Sequence, residues 1–112
     1  MDNRKDDYYY IRKIQTNLKF ITNHITGIDY DAFLNDEILQ DAMMFRLIQI
    51  SEESRKLSES FKAEHNSVPW SALVGLRNRI VHNYGNVDLT VVYDTLSVDI
   101  PVMKKRLQNI RF

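Results

Sequence analysis

Apolar residues recur along this chain at steps of three and four, the spacing that collects them on one face of a helix. Ile11, Ile14, Leu18, Ile21 and Ile25 predict an amphipathic helix from about Arg4 to His24, stopping before Gly27. Tyr30 to Asn35 reads as a short helical turn, after which Asp36 is placed to cap a long helix running to about Phe61. The inward face of that helix is marked by Leu39, Ala42, Met43, Leu47, Ile50, Ser54, Leu57 and Phe61. Around its middle, Met43, Met44, Phe45, Leu47, Ile48 and Ile50 spread apolar groups beyond one stripe, which fits a central helix of a bundle or a face buried against a second subunit.

A third helix is expected to start at Ser67, a capping residue followed by Pro69, and to run through Trp70, Leu73, Val74 and Arg77 to about His82, with Gly85 as its left-handed cap. Asp88 opens a fourth, on which Val92, Leu96, Ile100, Met103, Leu107 and Ile110 keep the helical period while Pro101 should kink or divide it. No stretch alternates over a useful length, so a sheet is not expected. The fold class is therefore all-α, an up-and-down bundle of four or five helices, and residues 1–112 read as one helical domain.

Composition narrows the chemistry. Without cysteine there is no disulfide framework, thiolate metal site or cysteine nucleophile, and a reducing cytoplasm is the expected location. No apolar run reaches the roughly 20 residues of a membrane span. The formal charge is zero, from 15 basic and 15 acidic side chains, which argues against a general nucleic-acid coating protein. The charges are unevenly placed: residues 1–76 carry nine basic and twelve acidic groups, residues 77–112 six basic and three acidic. Arg77, Arg79, Lys104, Lys105, Arg106 and Arg111 make the C-terminal third the natural approach for an anion, although Lys104 to Arg111 also fit an ordinary solvated helix.

Gly75 to Tyr84 concentrates cationic, imidazole, amide and phenol groups in ten positions. On a regular helix Asn78 and His82, four apart, are neighbours, so the amide is placed to orient the imidazole. His82 would lie about 140° around from Arg77, which favours a ligand lying along the helix end or shared between subunits. Arg79 points away from Arg77 towards solvent. Gly75 inside a helix suggests a close crossing or the near approach of another subunit. Of the adjacent pair Glu52 and Glu53, both read as solvent or ion-pair residues, with Glu52 the better placed to face a partner. Tyr8, Tyr9 and Tyr10 point around a helix and should divide between core and surface. His24, His65 and His82 show no paired metal-ligand spacing, so neither a metal nor any other cofactor is expected.

Arg77, His82 and Tyr84 together match R-x4-H-x-Y, and the pattern is similar to that of HEPN-domain toxins of the HepT type. Val68-Pro69-Trp70, Val74 to Asn78, and Gln40-Asp41-Ala42 with Glu52 resemble the same family, over roughly residues 8 to 107. The sequence departs from the family in Ser51, Glu53 and Ser54, where small residues are usual, and in Asn83, where Asp is common. The resemblance implies a metal-independent endoribonuclease toxin of a type VII toxin–antitoxin pair, acting by attack of a ribose 2′-OH on phosphorus. It implies a homodimer whose two Arg77 and His82 copies form one composite site, with Asn78 in support. It also implies a partner, an MntA-like nucleotidyltransferase antitoxin that silences the toxin by transferring AMP to Tyr84, a residue that reads equally as a core or interface phenol. Two other readings stay open: a non-catalytic nucleotide-binding or partner subunit of a nucleotidyltransferase complex, and a plain helical dimerisation protein.

Overall fold

A computed structural model describes residues 4–82 and 86–110, with the side chains of Arg4, Lys5 and His82 outside that description. The architecture is all-α. Helix α1 spans Arg4–Ile25, α2 Tyr30–Leu34, α3 Glu37–Arg55, α4 Glu59–Glu64, α5 Trp70–Val74 and α6 Leu76–Ile80. Two short strands, β1 (Val81–His82) and β2 (Asn86–Val87), follow, then α7 (Leu89–Asp94), a π-helical turn (Thr95–Asp99) and α8 (Ile100–Leu107).

The stripe of α1 is buried as its spacing requires: Ile11, Ile14, Leu18 and Ile21 join Met43, Leu47 and Ile50 of α3 in the core. Asn17 of α1 meets Glu53 and Arg46 of α3, while Asp7, earlier in α1, meets Ser58 just beyond the end of α3, so sequence numbers rise on one side as they fall on the other and the helices are antiparallel. The C-terminal helix closes on α1 in the same sense, through Tyr93 Oη to Ile28 O at 2.7 Å and Gln15 Nε2 to Leu107 O at 3.4 Å. Leu73, Leu76 and Ile80 of α5 and α6 complete the core from the other side of α3.

Starts are set by capping. Asp29, Asp36, Ser58 and Asp88 each accept from a backbone N–H of the first turn that follows, satisfying donors a helix leaves unpaired. The expected long second helix is interrupted. It ends at Arg55, because Ser58 takes extended angles (φ −67°, ψ 152°) and caps the separate helix α4. Ser58 is held in that role by Asp7, whose carboxylate accepts from Ser58 N at 2.8 Å and Ser58 Oγ at 2.7 Å. Nothing in a local period could reveal this, since Leu57 and Phe61 keep the step of four across the break.

Ser67 does not cap the third helix. The position before Trp70 is Pro69, without a side-chain cap, and Ser67 instead offers its carbonyl to the Arg106 guanidinium. The expected extension to His82 also fails, for the helix stops at Ile80 and Val81 turns extended (φ −104°, ψ 115°). Val81 then pairs with Val87 and His82 with Asn86 in a two-residue antiparallel ladder, a small sheet where none was expected. β-branched Val81 and Val87 suit this extended pairing and pack half-buried against the core. Gly85, expected as a cap, lies outside the described residues.

Pro101 stands where the expected fourth helix divides into α7, the π turn and α8. It is the second residue of α8, and backbone angles stay helical through Thr95 and Ile100. The π turn immediately before it widens the coil where proline's missing N–H and its ring would otherwise spoil the regular ladder.

A candidate active site at the end of helix α6

Arg77, Asn78 and Arg79 occupy consecutive exposed positions on α6, between buried Leu76 and buried Ile80. The two apolar residues clamp α6 onto the core and leave the outer half of its circumference to the polar triplet. A further tie is Ser51 of α3, fully buried, whose hydroxyl donates to Val74 O at 2.6 Å just before the α5–α6 junction. At that junction Gly75 keeps a negative φ (φ −81°, ψ −2°), a conformation open to any residue. A Cβ there would lie 3.3 Å from Ser71 O and 3.8 Å from Ala72 O, so its close neighbours belong to the preceding turn and not, as expected, to a crossing helix.

Arg77 is exposed at the outer face, and Arg79 makes an ion pair with Asp99 of the π turn at 3.5 Å. Both partners of that pair are well exposed, so it is worth little in stability. Arg79 is exposed, as expected, and the contact with Asp99 adds to that expectation. His82, on β1, lies beyond the helix, and the assumed helical phase between it and Arg77 or Asn78 does not apply. Asn78 is exposed on α6 and is not the i−4 neighbour of His82 that a continuous helix would make it. The ladder instead sets His82 opposite Asn86. Tyr84 lies outside the described residues. Among the described residues, no group of three or more His, Cys, Asp or Glu side chains is gathered as a metal site would need.

A second polar feature lies on the far side of α3, and the sequence reading missed it. Glu53 is 5% exposed and accepts from Asn17 Nδ2 at 2.8 Å, while Asn17 Oδ1 accepts from Arg46 Nη1 at 2.9 Å. The Arg46 guanidinium rests 3.8 Å from the centre of the Phe20 ring. Burial pushes the Glu53 carboxyl above its ordinary range, opposed by the Asn17 hydrogen bond and by Lys13, Arg46 and Lys56 nearby. The reading that favoured Glu52 over Glu53 is thus reversed: Glu52 is half-buried and Glu53 buried. A signal existed, since Asn17 falls three residues from Ile14 and Glu53 three from Ile50, both steps that land on an inward stripe.

A profile of the HepT-like family, described as ribonuclease HepT-like, matches residues 14–110. The chain belongs to the HepT-like ribonuclease family. By class it is an endoribonuclease. Among its relatives, "Putative RNase TTE0752" of Caldanaerobacter subterraneus subsp. tengcongensis is 28% identical over 101 residues, 90% of each chain. "Putative RNase MJ1380" of Methanocaldococcus jannaschii is 33% identical over 81 residues, 72% of this chain and 74% of the relative. "Probable ribonuclease HepT" of Thermococcus cleftensis is 29% identical over 102 residues, 91% of this chain and 93% of the relative. No solved structure matches the chain significantly. Among the described residues, no helix of this HepT-like ribonuclease is long and apolar enough to cross a membrane.

Proposed function

We propose that this HepT-like ribonuclease is a toxin that cuts RNA without a metal at a composite site made by two copies of Arg77 and His82. The carrying observation is the exposed Arg77 on a helix clamped by Leu76, Ile80 and the Ser51 tie, with His82 following directly on β1, in a chain of a ribonuclease family. In the reaction, His82 takes the proton of a ribose 2′-OH and O2′ attacks the adjacent phosphorus. The P–O5′ bond breaks, leaving a 2′,3′-cyclic phosphate, and O5′ takes a proton from the imidazolium of the partner subunit's His82. An imidazole with pKa near 6.5 serves as acid or base at neutral pH. One imidazole cannot play both parts in a single step, which is the chemical argument for a homodimer. Arg77 from each subunit holds the phosphate oxygens in two-point hydrogen bonds as charge builds on them. Asn78 supports by polar contact with the RNA from its exposed place beside Arg77 rather than by orienting the imidazole.

The same reading assigns regulation to an MntA-like nucleotidyltransferase that adds AMP to Tyr84. Phosphodiester charge placed two residues from His82 would compete with RNA for Arg77. The test is cleavage of a labelled RNA with EDTA present. Wild-type protein should cut and leave cyclic phosphate ends, while His82→Ala and Arg77→Ala should each lose at least a hundredfold in rate with unchanged helical content. Equal cutting by His82→Ala would end the proposal. Coexpression with a nucleotidyltransferase of that type should raise the intact mass by one or more AMP units in wild type and not in Tyr84→Phe.

A further inference from the structure

The α1–α3 face carries a cleft of about 450 Å³, floored by Asn17 and Glu53 and walled by Tyr9 and Phe45. Its edge is cationic, with Arg12, Lys13 and Arg46 all lining it. The cleft is not part of the candidate active site. Ser51 of α3 bonds to α5, and Glu53, two residues further along the same helix, points about 200° around from it. The motif and the cleft therefore flank α3 from opposite sides.

Three properties of the cleft select a ligand. Phe45 is 57% exposed, one of the two large apolar side chains, with Ile38, that α3 leaves to solvent, and within the cleft it presents ring surface for stacking. Lys13 Nζ sits 5.2 Å from the Tyr9 ring centre, and Arg12, whose Nη1 donates to Tyr8 Oη at 2.9 Å, lines the same cleft, so the rim carries two positive charges that suit a phosphate. On the floor, the Glu53 carboxylate spends one oxygen on Asn17 and is otherwise an acceptor of N–H groups. A simple anion would be repelled by Glu53 and a simple cation by the edge. A ligand with a flat ring, an anionic end and N–H donors satisfies all three, and the volume lies in the range of pockets that enclose small molecules, roughly 300–1,000 Å³.

We propose that this cleft is a second nucleotide-binding site, taking one guanine nucleotide of an RNA chain or a free guanine nucleotide. The base stacks on Phe45, its N1–H and N2–H groups donate to Glu53, and the phosphate lies against Arg12 and Lys13. In an RNA-cutting enzyme such a subsite would select the strand at a point away from the scissile bond. It stands whether or not the Arg77–His82 pair performs cleavage.

The test is calorimetric titration of the full chain with 5′-GMP, 5′-IMP, guanosine and inorganic phosphate at low salt. GMP should bind at least tenfold more tightly than guanosine or phosphate, and several-fold more tightly than IMP, which lacks the N2 amine. Phe45→Ala should weaken GMP roughly five- to hundredfold, the range for loss of one stacked base. Arg12→Ala with Lys13→Ala should bring GMP down to the level of guanosine, and Glu53→Gln should erase the preference over IMP. Arg79→Ala, whose partner Asp99 lies outside the cleft, should bind GMP as wild type does. Because Phe45, Arg12 and Lys13 are exposed, their variants keep the fold and remain informative if Glu53→Gln does not. The proposal is overturned if GMP binds no better than phosphate, if Phe45→Ala leaves its affinity unchanged, if Arg79→Ala abolishes it, or if an aspartate-rich peptide binds more tightly than GMP. A shared preference for two RNA nucleotides bridging the cleft, seen with GpA but not ApA, would assign the strand rather than the free nucleotide as its natural occupant; GMP alone binding would assign the latter.

Discussion

Asp7→Ala should be among the most damaging single polar substitutions in this protein. Asp7 is 4% exposed, and its two carboxylate oxygens each accept a hydrogen bond from Ser58, one from the backbone N–H at 2.8 Å and one from the hydroxyl at 2.7 Å. Hydrogen bonds to a charged group contribute about 1.5–3 kcal/mol apiece, but part of that returns when water reaches the hydroxyl. The backbone N–H of Ser58 is the harder loss, because it is part-buried and a donor left unpaired there costs up to about 1–3 kcal/mol. Ser58 Oγ would still cap Phe61 N at 3.2 Å, so helix α4 should survive. The net expectation is a loss of about 2–4 kcal/mol, a large share of the roughly 5–15 kcal/mol that small domains possess. At about 4 °C per kcal/mol for a chain of this length, Tm should fall by roughly 8–16 °C. Urea unfolding followed by circular dichroism measures the free energy directly, with Asp7→Asn, which keeps one acceptor oxygen, falling between wild type and Ala. If Asp7→Ala cost less than about 0.5 kcal/mol, the idea that Asp7 sets the break between α3 and α4 would be wrong.

Other consequences can be measured in the same preparation. Because burial raises the Glu53 carboxyl above its ordinary value of 4.5, the folded state holds that proton more tightly than the unfolded state. Its stabilising contribution is therefore complete below pH 4.5 and disappears as pH rises through the raised folded value. Glu53→Gln, which can still accept from Asn17, should remove that slope, so its stability relative to wild type should climb between pH 4 and neutrality; parallel curves would refute the assignment. Leu76→Ala, at a fully buried site directly behind Arg77, should cost about 2–5 kcal/mol by urea melts and slow RNA cleavage by loosening α6. Arg79→Ala should change stability by less than about 1 kcal/mol, since its ion pair with Asp99 is exposed, and a larger loss would show a role the surface pair does not explain.

Much of the bundle is written in local pattern. The inward stripe of α1, the caps at Asp36 and Asp88, and the period through Val92, Leu96, Ile100 and Met103 all follow from the three- and four-residue step and from side chains that satisfy helix-end donors. The R-x4-H-x-Y pattern and its family were equally legible, because residue identity and spacing need no coordinates. What local pattern could not carry were events decided by a distant residue. The end of α3 depends on Asp7, some fifty positions away, taking hold of Ser58. The stop at Ile80 depends on Val81 and His82 finding β2, a ladder that exists only once the chain has turned back. Glu53 reads as a surface charge until α1 lays Asn17 against it. Helical period is a property of neighbours in sequence, whereas burial of a charge, interruption of a helix and the shape of a cleft are set by the free energy of contacts between segments far apart in the chain, and those only the tertiary structure decides.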